Sequence, residues 1–340
     1  MPEWFIVLGV VLLLAVAFDF INGFHDTANA IATVVATRVL TPRQAIFMAA
    51  GLNFLGALSG TAVATTVGKG IIDPSASTQA VIIVALASAI IWNLLTWYFG
   101  LPSSSSHALI GGLVGGAVAY QGTGALNRVG LEKIVLTLVT SPVIGLVFGF
   151  LLMIGLLWLV FRQSPHTVNV HFRRLQLLSS ALMSFSHGSN DAQKTMGIIT
   201  MALFSNGLIS DFHVPFWVML TAAMAMAAGT SAGGWRIIKT MGHKIIKLEP
   251  IHGFAAESAA ATVIQMASHV GLPVSTTHVI SGSIMGVGAS QRLSAVRWGV
   301  AGDMMMAWVL TIPATAALAW LLFEVFVVTQ GVLAWAGVGV

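Results

Sequence analysis

Apolar residues run along this chain in long blocks separated by short polar clusters, with no sustained alternation of apolar and polar positions. The blocks fall near residues 4–20, 45–67, 80–99, 101–119 and 133–161, then 175–204, 215–234, 251–270, 272–288 and 298–328. A bilayer core of about 30 Å requires about 20 apolar residues per crossing helix. The pattern therefore predicts an all-α polytopic membrane protein with five hydrophobic segments and then five more. The longest strongly polar stretch, RQSPHTVNVHFRR at 162–174, divides them. The predicted organisation is a first membrane repeat over 1–161, a cytoplasmic linker over 162–174 and a second membrane repeat over 175–340.

The two sets repeat each other. Gly23-Phe24-His25-Asp26-Thr27-Ala28-Asn29-Ala30 aligns without gaps on Gly188-Ser189-Asn190-Asp191-Ala192-Gln193-Lys194-Thr195. Leu101-Pro102-Ser103-Ser104-Ser105-Ser106-His107 aligns on Leu272-Pro273-Val274-Ser275-Thr276-Thr277-His278. Both motifs keep their order and approximate spacing. Five segments per repeat is an odd number, so the second repeat starts on the opposite side of the membrane and is inverted. The third and fourth segments of each repeat either both span or form a re-entrant hairpin with the Leu-Pro tip at the midplane. Inverted repeats with matching helix breaks are the arrangement of alternating-access carriers, whose site lies where the repeats meet.

Composition removes other classes. Hydrophobic residues make up 57% of the 340 and charged residues 8%, against about a quarter charged in soluble domains, and mean hydropathy is +0.91. A soluble globule is excluded. The net charge of +4 forms no continuous basic face for nucleic acid, because the basic residues flank apolar segments and act as topology signals. With an external N-terminus, the inside loops carry Arg38, Arg43, Arg162, Arg173, Arg174, Arg236, Lys239, Lys244, Lys247, Arg292 and Arg297. The outside loops carry Lys69, Arg128 and Lys133. Both termini are thus expected outside. Cysteine is absent, which removes disulfides, thiolate metal sites and thiol nucleophiles. The N-terminus has no basic region and no small-residue cleavage site, so the first apolar run is expected to stay in the protein.

The motifs carry the chemistry. DFINGFHDTAN at 19–29 and SFSHGSNDAQK at 184–194 place carboxylates, histidines and amides inside apolar runs, which lipid does not tolerate. Gly23 and Gly188 are expected to let the helix unwind, leaving Asp26 and Asp191 at the start of the next half-helix, where a capping role is the alternative. The hydroxyl runs Ser103–Ser106 and Ser275–Thr277 each precede a glycine-rich small-residue helix. Hydroxyls and free N–H groups at a helix start form a donor-rich cradle for an oxyanion, and two facing cradles suit a tetrahedral one. Plain capping and close helix packing are the alternatives. A dianion beside Asp26 and Asp191 is repelled by several kcal/mol in a partly dry site, so co-occupancy requires protons or metal cations. Glu257 is a third candidate group for the coupling ion.

Together FDFINGFHDTANAIAT, SFSHGSNDAQKTMG, LPSSSSH and GLPVSTTH resemble the duplicated signature of the inorganic phosphate transporter (PiT) family, over about residues 18–288. The resemblance implies cation-coupled phosphate symport through an inverted-repeat helical fold. It places Asn29, Asp26, Asp191, Ser104, Ser105, Ser106, Ser275, Thr276 and Thr277 around the anion and coupling-ion sites, and Asn190 and Lys194 join the expected anion set. Some relatives carry sulfate instead. Sodium-coupled members tend to repeat Asp-x-Ala-Asn in both halves, whereas the second motif here reads Asp191-Ala192-Gln193-Lys194. A fixed ammonium there can replace a bound cation and pair with Asp191 or with the anion. Similarity to bacterial and plastid members with Gln-Lys favours H⁺ over Na⁺ coupling.

His25, His107, His187 and His278 lie within the motifs and are candidate proton relays. With Asp26 and Asp191 they also offer donors to a divalent metal, which keeps a metal or metal-phosphate carrier open and leaves any metal site unassigned. Nothing marks a nucleophile, base and oxyanion hole, so no enzyme is expected. No cofactor is expected beyond the coupling cation. The expected partners are inorganic phosphate, the lipid bilayer of a bacterial inner membrane and, in a homodimer, a second copy of the chain.

Overall fold

A computed structural model of the chain describes residues 3–73 and 76–335. Residues 1–2 and 336–340, expected on the external side of the membrane, lie outside the described residues. The first repeat supplies α1 (Glu3–Ala36), α2 (Pro42–Ala57), α3 (Ala62–Gly70), α4 (Gln79–Phe99), α5 (Ser105–Gln121) and α6 (Arg128–Val160). The second supplies α7 (Pro165–Ser205), α8 (Phe216–Ala232), α9 (Trp235–His243), α10 (Pro250–His269), α11 (Thr276–Gln291) and α12 (Trp298–Trp335). The same order of long, broken, hairpin and long elements occurs twice.

Four helices, α1, α4, α6 and α12, are long and apolar enough to cross a membrane. The pairs α2–α3 and α8–α9 are apolar enough together but bent by 69° and 72°, each a broken span or a re-entrant loop, so the candidate spans among the described residues number four to six. Helix α9 falls where the charge pattern predicts an inside loop. It is a short amphipathic piece that buries Ile237, Ile238 and Met241 and leaves Arg236 and Lys239 exposed. Helix α7 is 41 residues long and begins inside the polar 162–174 stretch, because Pro165 fits a first helical turn and the Ser164 hydroxyl accepts from Thr167 N–H at 3.2 Å.

The expected unwinding at Gly23 and Gly188 does not occur: α1 and α7 run unbroken through both motifs. Asp26 and Asp191 therefore sit in mid-helix, which also removes capping as their role. The two glycines serve close approach instead. A Cβ on Gly23 would strike the carbonyl of Met226 on α8, and one on Gly188 the backbone of Asn53 on α2. The polar runs are tolerated because protein surrounds them; every residue from 186 to 203 of α7 is buried. Helix breaks lie elsewhere, at the α2–α3 and α8–α9 bends and at the two hairpin tips.

The repeats interlock. Helix α5 of the first packs along α12 of the second, and α11 of the second packs along α6 of the first. Small residues permit both contacts, as is usual where helices associate in lipid. Gly111 and Gly115 sit against the backbone of Ile312 and Ala316, and Gly282 and Gly286 against that of Pro142 and Leu146. Gly115→Ala would drive a methyl into the Ala316 carbonyl, so it should cost about 1–3 kcal/mol, the usual range for overpacking. Thermal unfolding in detergent, followed by tryptophan fluorescence, checks this; an unchanged midpoint would show that the α5–α12 contact yields freely.

Candidate functional site

Helices α4 and α5 form a hairpin, as do α10 and α11. The first turn back begins at Gly100 and the second at Gly271, both left-handed with φ of 67° and 71°. Ser104 and Ser275 then cap α5 and α11, accepting from His107 N–H and His278 N–H at 3.2 and 3.3 Å. The tips touch each other. The Ser106 hydroxyl donates to Val274 O at 3.3 Å, and the His107 and His278 rings lie 4.5 Å apart between centroids. Because tips from opposite repeats meet, each hairpin enters the molecule and turns back at its centre. Meeting tips are what re-entrant hairpins would give, while α4 is by length and composition also a candidate span.

At the tips, α1 and α7 present their motifs. Asp26 accepts from His25 Nδ1 at 2.7 Å and lies 3.5 Å from the Thr277 hydroxyl. Asn29 donates from Nδ2 to Thr276 and Thr277 at 3.2 and 2.9 Å. Asp191 accepts from Thr276 at 2.7 Å, is ion-paired to Lys194, and has His187 Nε2 3.1 Å from Oδ2. Lys194 Nζ also donates to Ser106 Oγ at 2.5 Å and Val274 O at 2.9 Å. Asn190 holds the second tip in place, accepting from Val274 N–H at 3.3 Å and donating to Ser268 Oγ at 2.9 Å. One ammonium thus ties α7 to both tips while neutralising Asp191.

Asp26, His187 and Asp191 bring one ligand atom each to within 4.8 Å of one another. Two carboxylate oxygens and an imidazole nitrogen could hold a cation between the repeats, although the adjacent Lys194 ammonium opposes a divalent one. Ser105, aligned with Thr276, is buried with its hydroxyl making no hydrogen bond, which leaves one unengaged donor in the first cradle.

Not every expected residue joins this cluster. Glu257 is fully buried but accepts from Thr33, Ser179 and Gln176, the last at 3.1 Å, and belongs to a separate polar group. His107 bonds Ser104 at 2.7 Å through Nδ1, and the His278 ring stacks on Trp308 with centroids 4.1 Å apart. Both histidines line an apolar cavity of about 450 Å³ between α6 and α12. Of the four relay candidates, only His25 and His187 reach a carboxylate.

Other participants escaped the motif reading. Thr96 on α4 contacts His25 Nε2 at 3.1 Å and accepts from Ser103 at 2.8 Å. Asn53 on α2 meets His187 Nδ1 at 3.1 Å and donates to Thr230 at 2.9 Å. Gln193, already inside the second motif, caps the start of α3, accepting from Val63 N–H at 2.8 Å. For Thr96 and Asn53 the available signal was a lone amide or hydroxyl inside an otherwise apolar segment. A polar cavity of about 220 Å³ lined by Ser59, Ser189, Gln193, Gln265, Ser268 and His269 reaches within one helical turn of Asp191. The cradle side chains themselves are buried and, Ser105 apart, already hydrogen-bonded within the protein, so an incoming anion must exchange those bonds for its own.

Comparison with known proteins relates the chain and its fold to others. The model of the phosphate transporter family matches the chain twice, over residues 22–169 and 162–319. A probable low-affinity inorganic phosphate transporter of Rhizobium meliloti (strain 1021) is 55% identical over 89% of this chain and 92% of its own length. One of the same description from Bacillus subtilis (strain 168) is 51% identical over 91% of this chain and 94% of its own. Among solved structures, a sodium-dependent phosphate transporter superposes with a TM-score of 0.86 at 27% identity, covering 95% of this chain and 99% of that one.

Proposed function

The chain belongs to the phosphate transporter family, and from that premise we propose that it is a secondary carrier symporting inorganic phosphate with H⁺ by alternating access. The observation that carries the proton reading is Lys194, whose ammonium is ion-paired with Asp191 and bonded to Ser106 and Val274. A permanent positive charge there does what a bound sodium would do for Asp191, so the second repeat needs no metal cation at that carboxylate. Asp26, bonded to His25, is then the exchangeable site in the first repeat. The hydroxyls of Ser104, Ser105, Ser106, Ser275, Thr276 and Thr277, with Asn29, Asn190 and Lys194, form the anion cradle. The sodium-dependent character of the structural neighbour supports Na⁺ as the competing ion.

Loading follows from charge. With Asp26 ionised, a phosphate dianion at the tips faces an uncompensated carboxylate. With a proton shared between His25 and Asp26, the same anion faces a neutral or cationic pair and the Lys194 ammonium. Anion and proton therefore bind together, and the two hairpins, each anchored to the opposite repeat, exchange access about them. The basic loops support external termini with the turn after α6 in the cytoplasm, and the proposed location is a bacterial inner membrane. The Asp26–His187–Asp191 cluster favours one second reading, transport of a metal-phosphate complex.

Uptake of labelled phosphate into proteoliposomes, with sodium and pH gradients imposed separately, tests the proposal. Uptake driven by the pH gradient in sodium-free buffer is expected. A strict sodium requirement would return the coupling site to a metal cation. Phosphate uptake that requires an added divalent metal would establish the complex as cargo, and sulfate uptake without phosphate uptake would change the substrate.

A further inference from the structure

Three carboxylates face the α1–α7 contact, and only two have a compensating group: Asp191 has Lys194 and Asp26 has His25. The third, Asp19, is fully buried, and Thr195 and Asn22 approach its carboxylate without completing a well-aligned hydrogen bond to either oxygen. A buried, unpartnered polar atom in a native structure calls for an explanation, an ion or a water being the usual one. Asp19, Asn22 and Asp26 lie at i, i+3 and i+7 on one face of α1. Across from Asp19, α7 presents Thr195, one turn beyond Asp191. Thr195 and Asn22 are the polar side chains that face the Asp19 carboxylate, and Asp191 and Lys194 lie within electrostatic range of it. The Thr195 hydroxyl and the Asn22 side-chain carbonyl are likewise buried without a partner.

The unpartnered atoms are thus all oxygens: two from a carboxylate, one from an amide and one from a hydroxyl. Hard cations take such sets, and transition metals prefer nitrogen or sulfur. The single negative charge of the set suits a monovalent ion, and Lys194 nearby disfavours a higher charge.

We propose that Asp19, Asn22 and Thr195 form a binding site for a small hard monovalent cation, sodium being the probe, separate from the Asp26–His187–Asp191 cluster. The inference goes beyond the transport reading, since it concerns an ion held whether or not phosphate is carried. In the second repeat Ser184 occupies the position aligned with Asp19, so the site occurs in one repeat alone.

The test is equilibrium binding of radioactive sodium to the purified full chain in nanodiscs, without phosphate. The wild type should bind saturably, with lithium competing and choline inert. Asp19→Asn, which keeps shape and loses charge, should weaken sodium at least tenfold, and Thr195→Val should do the same. Thr195→Ser should restore binding, a rescue that a packing role for Thr195 would not give. Monodisperse gel filtration certifies the fold of each variant. Absence of saturable sodium binding in the wild type, or binding unchanged in Asp19→Asn, overturns the site. Because no phosphate is present, failure of the transport reading leaves this result untouched, and failure here leaves that reading standing.

Discussion

Asp191→Asn is expected to abolish phosphate uptake and to destabilise the protein by about 3–5 kcal/mol, the usual cost of leaving one member of a buried ion pair alone. Asp191 and Lys194 are at most 2% exposed, so neither charge can turn to water when its partner is removed. The paired substitution Asp191→Asn with Lys194→Met should recover most of the stability, since replacing both members of a buried pair is often neutral, and should still transport nothing. The two variants thus separate folding from function. The measurements are thermal unfolding in detergent and labelled uptake in proteoliposomes. A double variant as unstable as the single one would show that the lysine's bonds to Ser106 and Val274, rather than its charge, hold the tips. Wild-type uptake in Asp191→Asn would remove this residue from the mechanism.

Lys194→Asn should change the ion the protein requires. It places in α7 the residue type that α1 has at Asn29, and leaves Asp191 without its ammonium. In sodium-free buffer the buried carboxylate then opposes the anion, and uptake driven by pH should fall at least about tenfold, equivalent to about 1.4 kcal/mol. Added sodium should restore it by taking the position of the lysine nitrogen. Uptake that stays low at every sodium concentration would mean that Lys194 binds the anion directly and that no cation can substitute for it. Uptake that stays high without sodium would show that Asp191 carries no charge needing compensation.

Much of this arrangement was legible in the sequence because the chain states it twice. Duplicated Asp26 and Asp191, and duplicated Leu-Pro-hydroxyl runs, point to a common centre without coordinates. Helix continuity was not legible at Gly23 and Gly188. A glycine beside polar residues signals a break and a close crossing equally well, and only the backbones of α8 and α2 against these positions decide between them. Glu257 could be recognised as a buried acid, but its partners Thr33, Gln176 and Ser179 come from α1 and α7. Such contacts leave no local pattern. Asp19, Asn22 and Thr195 fell in the same gap, since two lie on one helix face and the third approaches from the other repeat. The α9 helix was masked by its own basic residues, whose topological signal resembles that of a loop.

The interlocking of the repeats also sets the order of events during synthesis. The polar tip of the α4–α5 hairpin enters the membrane early, yet α12, which packs along α5, comes far later in the chain. With about 200 residues still to be translated at 5–20 residues per second, that tip waits roughly 10–40 s for its wall. Until the second repeat follows, Ser106 lacks Lys194 and Val274, and the His107 ring lacks that of His278. The nascent first half therefore depends on the insertion machinery as a temporary neighbour, and a chain cut short before α12 leaves the ribosome with a hairpin that has nowhere to dock.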